Sequence, residues 1–291
     1  MGTVFLRIAD FIIEVRQAGE SPIKLDEGYL PFVVESESTE PHMTVNSFGK
    51  LPNEPLSGGK LLYSARMPEG ELWNVSLCGD TYVFNVFDSE SPGTLQQTCT
   101  TDAQFRIWNV YMASSAAPTD PIDPLKYPLG PLLMYYLTVN HDAIMIHASG
   151  ISDNGIGRIF TGVSGKGKST MARIWFDEGA DVLNDDRLII RKENGGYMVH
   201  NTPMFYADRP RTSEFNAAYI IHHAKENGME RLHGATAVSA LAANCIQHGY
   251  DRRMVEHHLH FITEMVSAIP VYALGFVPDR NVVSKVRSYD V

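Results

Sequence analysis

The residue types best suited to chemistry stand together in Gly162-Val163-Ser164-Gly165-Lys166-Gly167-Lys168-Ser169-Thr170. The run fits G-x-x-x-x-G-K-[ST], the Walker A or P-loop pattern, with Gly162, Gly167, Lys168 and Ser169 at its fixed positions. Phosphate binding accounts for each of them. Glycines let the backbone curl with its N–H groups pointing inward, an anion nest at the start of a helix. Lys168 would reach β- and γ-phosphate oxygens, and the Ser169 hydroxyl would ligate Mg²⁺.

Phosphoryl transfer also needs metal ligands and a group that positions or deprotonates the nucleophile. Asp185 and Asp186, about twenty residues beyond the loop, offer both. One carboxylate would hold Mg²⁺ directly or through water, and the other could take a proton from an acceptor hydroxyl. Adjacent residues on a strand point to opposite sides, so both serve one site only where the strand ends and the backbone turns.

These residues need a strand, a loop and a helix to position them. Arg158-Ile159-Phe160-Thr161 reads as a short strand entering the loop, and Ser169 to Phe176 as a helix with Met171, Ile174 and Trp175 on one face, ending near Gly179. Upstream, Ala143 to Ile151 is a strand that turns back at Asp153-Asn154-Gly155, giving the loop an antiparallel neighbour. Ala180 to Asp186 is a strand ending in the two carboxylates. Leu188–Arg191 and Tyr197–His200 form a hairpin across Glu193-Asn194-Gly195-Gly196. A strand at Ala218–Ile221, helices at Ala235–Gln247 and Met254–Val266, a strand at Val271–Phe276 and a short helix from Asn281 complete the pattern.

Residues 1–115 differ in character. Strand signals at Phe11–Val15, Tyr29–Val34, His42–Val45, Glu71–Leu77, Thr81–Phe87 and Gln104–Tyr111 predict an antiparallel β-rich domain, with a hairpin at Cys78-Gly79-Asp80. No catalytic constellation stands out there, so packing, recognition or self-association into a homo-oligomer is the expected role. Residues 116–126 carry prolines at 118, 121 and 124 and read as a linker. A second domain follows over 127–291, opened by a helix at Gly130–Asn140 packed on it.

The chain has 291 residues, 44% hydrophobic and 20% charged, with a net charge of −10. Such an acidic chain does not suit a general nucleic-acid or anionic-membrane surface, whereas a local basic loop suits a small anion such as a nucleotide. Cys78, Cys99 and Cys245 are too widely spaced for a metal pair or a disulfide framework. His257-His258-x-His260 fits an ordinary amphipathic helix, and His222-His223 lies near a strand end. No signal peptide or membrane span is visible, and a cytoplasmic location is the expectation.

His147-Ala148-Ser149, the hairpin, the 162–169 loop, its helix and Asn184-Asp185-Asp186 together resemble the catalytic domain of HPr kinase/phosphorylase. The wider relatives are the HPr-kinase-like proteins and, by fold, the phosphoenolpyruvate carboxykinases. Thr202-Pro203 before an aromatic segment is similar to the continuation in that group. The resemblance covers about 127–291 and implies an α/β fold of α+β character with a mixed sheet. It implies that residues 162–170 bind ATP phosphates, that Asp185 is the general base and that Asp186 is its companion at the metal. It also implies that His147 meets the reacting phosphate or tunes Asp185. Thr170 stands where these enzymes commonly carry an acidic residue, Val163 where Asp is common, and Lys166 where a small or apolar residue is usual. A reverse, phosphorylase activity is therefore not part of the expectation. Arg209 and Arg211 are the nearest candidates for a phosphate or acceptor clamp.

The sequence thus predicts an ATP- and Mg²⁺-dependent kinase acting on a hydroxyl, a serine of a protein or peptide first. A small-molecule acceptor such as free serine and a nucleotide-binding module without turnover stand as the alternatives.

Overall fold

The computed structural model describes residues 2–35, 40–52, 56, 59–113, 117 and 119–289. The chain is a mixed α/β protein that divides into two compact units. One comprises Met1–Asn140 with Pro203–Arg209, and the other His141–Thr202 with Pro210–Val291. The division falls at Asn140, beyond the 116–126 stretch expected as the linker. Of that stretch, Ala116 and Pro118 lie outside the described residues. Ile122 bridges to Ile23, and the backbone N–H of Lys24 donates to Ile122 O at 2.9 Å, so this segment is fastened within the first unit.

The first unit carries β1 (Thr3–Ile8), β2 (Phe11–Gln17), β3 (Val33–Val34), β4 (Met43–Phe48), β5 (Lys60–Met67), β6 (Gly70–Cys78), β7 (Thr81–Phe87), β8 (Leu95–Thr101) and β9 (Ile107–Met112). They form one sheet in the order β3-β1-β2-β4-β9-β8-β7-β6-β5. The expectation of a purely antiparallel domain is corrected: β4 runs parallel to both β2 and β9. The chain returns to β4 from the far side after β2, and the β5–β8 meander separates β4 from β9. Such excursions are what parallel neighbours require.

Residues 29–34 are not a strand of the expected length. Glu27–Phe32 is a 3-10 turn that buries Tyr29 and Phe32 and contains Pro31, and only Val33–Val34 pairs. Proline cannot donate to a ladder, which favours the turn. The segment's backbone also packs closely: a Cβ on Gly28 would fall 1.5 Å from Met204 O. That approach ties the 203–209 segment to this unit.

Helix α1 (Leu129–Val139) is buried almost all round, with Tyr136 5.3 Å from Phe84 and stacked on Phe105 at 4.5 Å. It was expected to open the second domain, and it belongs to the first unit. A helix apolar on every side supplies no periodicity to say which sheet it packs against.

The second unit contains β10 (Ala143–Asp153), β11 (Ile156–Thr161), α2 (Lys168–Asp177), β12 (Asp181–Asn184), β13 (Arg187–Glu193), β14 (Gly196–Asn201) and β15 (Thr212–Glu214). It continues with β16 (Ala217–His223), β17 (Gly228–Leu232), α3 (Gly234–Ala242), α4 (Arg252–Ala268), β18 (Val271–Phe276) and α5 (Asn281–Arg287). The sheet order is β15-β14-β13-β10-β11-β16-β18-β17, with β12 also on β10. β16 is parallel to β11 and β18, and the remaining pairs are antiparallel. Both tight hairpins turn on Asn-Gly with positive φ at each residue: Asn154 and Gly155 at +52° and +82°, Asn194 and Gly195 at +49° and +81°. That is the backbone of a type I′ turn, whose twist matches the flanking strands.

Both faces of this sheet are covered. Phe160, Tyr219 and Leu274 pack with Met171 and Trp175 of α2 and Val282 and Val283 of α5. Ile159, Ala218 and Val271 point the other way, onto Leu241 of α3 and Phe261, Ile262 and Met265 of α4. Burial on two faces explains why β11, β16 and β18 read as nearly continuous apolar runs.

Candidate functional site

β11 ends at Thr161, and residues 162–167 carry the chain into α2. Gly165 and Gly167 adopt φ of +80° and +93°, a region that side-chain-bearing residues rarely occupy. A Cβ at Gly167 would also come within 2.9 Å of Phe276 Cζ, so glycine is required here twice over. No side chain caps the N-terminus of α2, and its first-turn N–H groups therefore lie on the loop side. Lys168, the first residue of the helix, is 7% exposed and donates from Nζ to Gly162 O at 2.8 Å. Burial lowers its pKa, and the charge of Asp186 acts in the opposite sense. Val163, Ser164, Gly165, Ser169 and Thr170 are exposed, with Lys166 half-buried.

Asp185 and Asp186 form the bend between β12 and β13. The strand does end there, which removes the geometric objection to two adjacent carboxylates serving one site. Asn184 holds the bend: its Oδ1 accepts from the Asp186 N–H at 3.0 Å, and its Nδ2 donates to Thr202 O at 3.3 Å. The Thr202 hydroxyl in turn donates to Arg187 O at 3.1 Å. Asp186 accepts from Arg187 Nε at 2.8 Å through Oδ2, while its Oδ1 lies 3.5 Å from His147 Nε2.

His147 enters from β10, directly across from Arg187 in the β10–β13 register. Its backbone is pinned on both sides, by the N–H donating to Asn244 O at 3.0 Å and the Thr161 hydroxyl donating to its carbonyl at 2.7 Å. Burial pushes its pKa down, Lys168 and Arg187 add to this, and Asp186 opposes. The imidazole is therefore neutral at pH 7 and able to accept a proton or a hydrogen bond. Lys168, His147 and Asp186 thus sense one another's charge. Asp185 is half-buried at the same bend.

Further side chains complete this arrangement. Arg187 and Asn184 flank the two carboxylates, Arg187 bonding the Asp186 carboxylate and Asn184 the Asp186 backbone N–H. Thr161 links the entering strand to His147. His223, at the end of β16, places Nε2 3.3 Å from Gly165 O. Asn184 already stood in the motif that carries the resemblance, adjacency to Asp185-Asp186 was the available signal for Arg187, and for His223 the sequence offered only its place near a strand end.

Other candidates fall elsewhere. Arg211 Nη1 lies 3.7 Å from Asp181 Oδ1, and Arg209 falls in the 203–209 segment that groups with the first compact unit. His257 Nε2 meets Ala143 O and His258 Nδ1 meets Met254 O, at 2.9 and 2.7 Å. His260 lies 3.6 Å from Glu264 on the exposed side of α4. Cys78, Cys99 and Cys245 are free thiols, and burial raises the pKa of Cys245 to about 12. Among the described residues, no helix is long and apolar enough to cross a membrane.

Fold and site together define a mixed α/β protein with a glycine-rich loop between a central strand and a helix, faced by a carboxylate bend and a histidine. No protein-family model matches the chain, and no curated protein matches it. Among solved structures, it is similar to the HPr(Ser) kinase/phosphatase from Coxiella burnetii at 11% sequence identity, over 50% of this chain and 97% of that chain, with a TM-score of 0.30. The likeness is distant and assigns no residue.

Proposed function

We propose that the chain is a Mg²⁺- and ATP-dependent kinase that transfers a phosphoryl group to a hydroxyl, first a serine of a protein or peptide. The observation that carries this reading is the geometry around the loop: its backbone requires glycine at 167, the Thr161 hydroxyl at its entry holds the His147 carbonyl, and His147 Nε2 lies 3.5 Å from Asp186 Oδ1. Residues 162–170 would cradle the phosphates with backbone N–H groups, and Lys168 would exchange its Gly162 contact for phosphate oxygens. Ser169 and Asp186 are hard oxygen donors of the kind Mg²⁺ takes alongside phosphates, and the metal would supply charge neutralisation. Asp185 would take the proton of the acceptor hydroxyl, with neutral His147 as hydrogen-bond partner of the phosphate or of the base. A cytoplasmic protein of this kind fits the acidic composition and the locally basic loop.

A second reading has a specific observation in its favour. Both oxygens of Asp186 already have cationic or imidazole neighbours, Arg187 and His147, which suits a nucleotide sensor without turnover. A small-molecule kinase would use the same residues with a different acceptor. Calorimetric titration of Mg-ATP into wild-type protein and Lys168→Ala is the deciding experiment. Micromolar binding lost in the variant supports the loop reading, and absence of heat with both proteins overturns it. Phosphate release or transfer by wild type but not by Asp185→Asn then separates kinase from sensor.

A further inference from the structure

His223 closes β16, the strand parallel to β11, and so ends beside the point where β11 hands the chain to the glycine-rich loop. Its ring stacks on Phe276, the residue paired with it on β18, with centroids 5.6 Å apart and planes 30° from parallel. Phe276 is fully buried and is the side chain that excludes a Cβ at Gly167. The imidazole therefore rests on a fixed platform that also touches the loop. Its Nε2 is 3.3 Å from Gly165 O. A carbonyl oxygen only accepts, so the ring nitrogen is the donor.

In a trans peptide the C=O of one residue and the N–H of the next point in opposite directions. Holding Gly165 O toward β16 therefore turns the Lys166 N–H the other way, toward Val163 O, to which it donates at 3.3 Å. Gly165, at φ +80°, has the backbone freedom to let this peptide rotate. Without a second anchor the Gly165–Lys166 plane would be held by one long turn hydrogen bond alone. With it, the plane is fixed at both ends, and an anion entering the loop finds the Lys166 N–H already turned away from β16.

We infer that His223 is a positioning residue for the loop: by donating to Gly165 O from its Phe276 platform, it holds the Gly165–Lys166 peptide with the Lys166 N–H turned away from β16 and into the loop. The inference rests on the nucleotide-binding reading for its purpose, but its physical content is testable in ligand-free protein. His223 is exposed and lies at a strand end, and its one described contact with the core is its ring stacked on Phe276.

The experiment is amide hydrogen exchange over residues 162–168 of the ligand-free full chain, compared among wild type, His223→Phe and His223→Gln. His223→Phe keeps a ring to stack on Phe276 and deletes the donor, whereas His223→Gln offers a donor again. Loss of one hydrogen bond should speed exchange in the loop by about three- to tenfold in His223→Phe, with Gln recovering part of it. Unchanged loop exchange in His223→Phe overturns the inference, whether or not the protein binds nucleotide. Equal acceleration in both variants also overturns it, because the donor would then be irrelevant. A parallel titration with Mg-ATP tests the underlying reading separately: heat absent from wild type speaks against nucleotide binding and leaves the exchange result to decide the role of His223.

Discussion

Asp186 is shared between Arg187 and His147, with Arg187 Nε on one carboxylate oxygen at 2.8 Å and His147 Nε2 3.5 Å from the other. The second contact spans two strands. It exists because His147 and Arg187 are cross-strand partners, and the bend at 185–186 turns the carboxylate back over them.

This relationship fixes how the His147 titration should respond to its neighbours. Lys168 and Arg187 lower its pKa, Lys168 more strongly, while Asp186 raises it. Lys168→Ala should therefore move the His147 pKa up, Arg187→Ala should move it up by less, and Asp186→Asn should move it down. Neighbouring charges fix the sign of each shift. An NMR pH titration of the imidazole resonances in the four proteins measures this. A pKa indifferent to all three substitutions would mean that the charges do not meet as described.

The loop helix is secured by a second charged group. Asp153 accepts from Arg287 Nε and Nη2 at 2.9 and 2.8 Å and lies 3.8 Å from the fully buried Arg158. Both guanidinium groups lie against Trp175 of α2, at 5.1 and 5.4 Å from its ring centre. Asp153→Ala removes the carboxylate from a buried cation and should cost roughly 3–5 kcal/mol. Arg287→Ala, at a partly exposed position, should cost about 1–2 kcal/mol. Urea unfolding followed by Trp fluorescence would rank them, and a reversed order would refute this account of the clamp.

Acid should weaken the second unit through His248. Burial, reinforced by His258, lowers its pKa to about 3, so the folded state holds it neutral while the unfolded chain protonates it near 6.5. Its contribution is complete above pH 6.5 and is lost as pH falls toward 3, on the order of 2–4 kcal/mol across that window. In His248→Gln, stability against urea should fall less steeply between pH 7 and pH 4 than in wild type. Parallel curves would exclude this histidine as the cause.

The first unit carries the opposite dependence at Asp123. Burial raises this carboxyl to about 7, and the neighbouring Asp26 charge adds to the shift. Its folded pKa lies above its unfolded value, so the contribution is full below about pH 4 and declines as pH rises through 7. Asp123→Asn should flatten that decline while keeping an oxygen to accept from the Leu125 or Asp26 backbone N–H. Denaturation midpoints of wild type and variant at pH 5 and 8 decide the point, and an equal pH 5-to-8 difference in both would count against it.

Features that depend on a few consecutive residues were legible in the chain itself. Asn154-Gly155 and Asn194-Gly195 dictate their turns because these residues tolerate positive φ. The strand–loop–helix order around Gly162–Thr170 follows from glycine spacing and from Met171 and Trp175 falling on one helical face. Most strands of the second sheet announced themselves as apolar runs, though the short, largely polar β15 and β17 gave no such signal. β8 did not: Gln96, Gln97 and Thr98 are all buried. Gln96 donates to Tyr127 O at 3.0 Å and Gln97 to Pro124 O at 3.3 Å, partners some thirty residues away that make a polar strand affordable inside.

What the tertiary structure decided has the same cause throughout, since it joins residues distant in sequence. The parallel placement of β4 between β2 and β9 depends on the course of long connections, and the packing of α1 on Phe84 and Phe105 depends on a helix with no polar face to orient it. The chain by itself determined a glycine-rich loop, a lysine and a pair of carboxylates suited to phosphate chemistry. Only the sheet register set His147 opposite Arg187 and brought His223 to Gly165, because hydrogen-bonded pairing between strands, not spacing along the chain, decides which side chains meet.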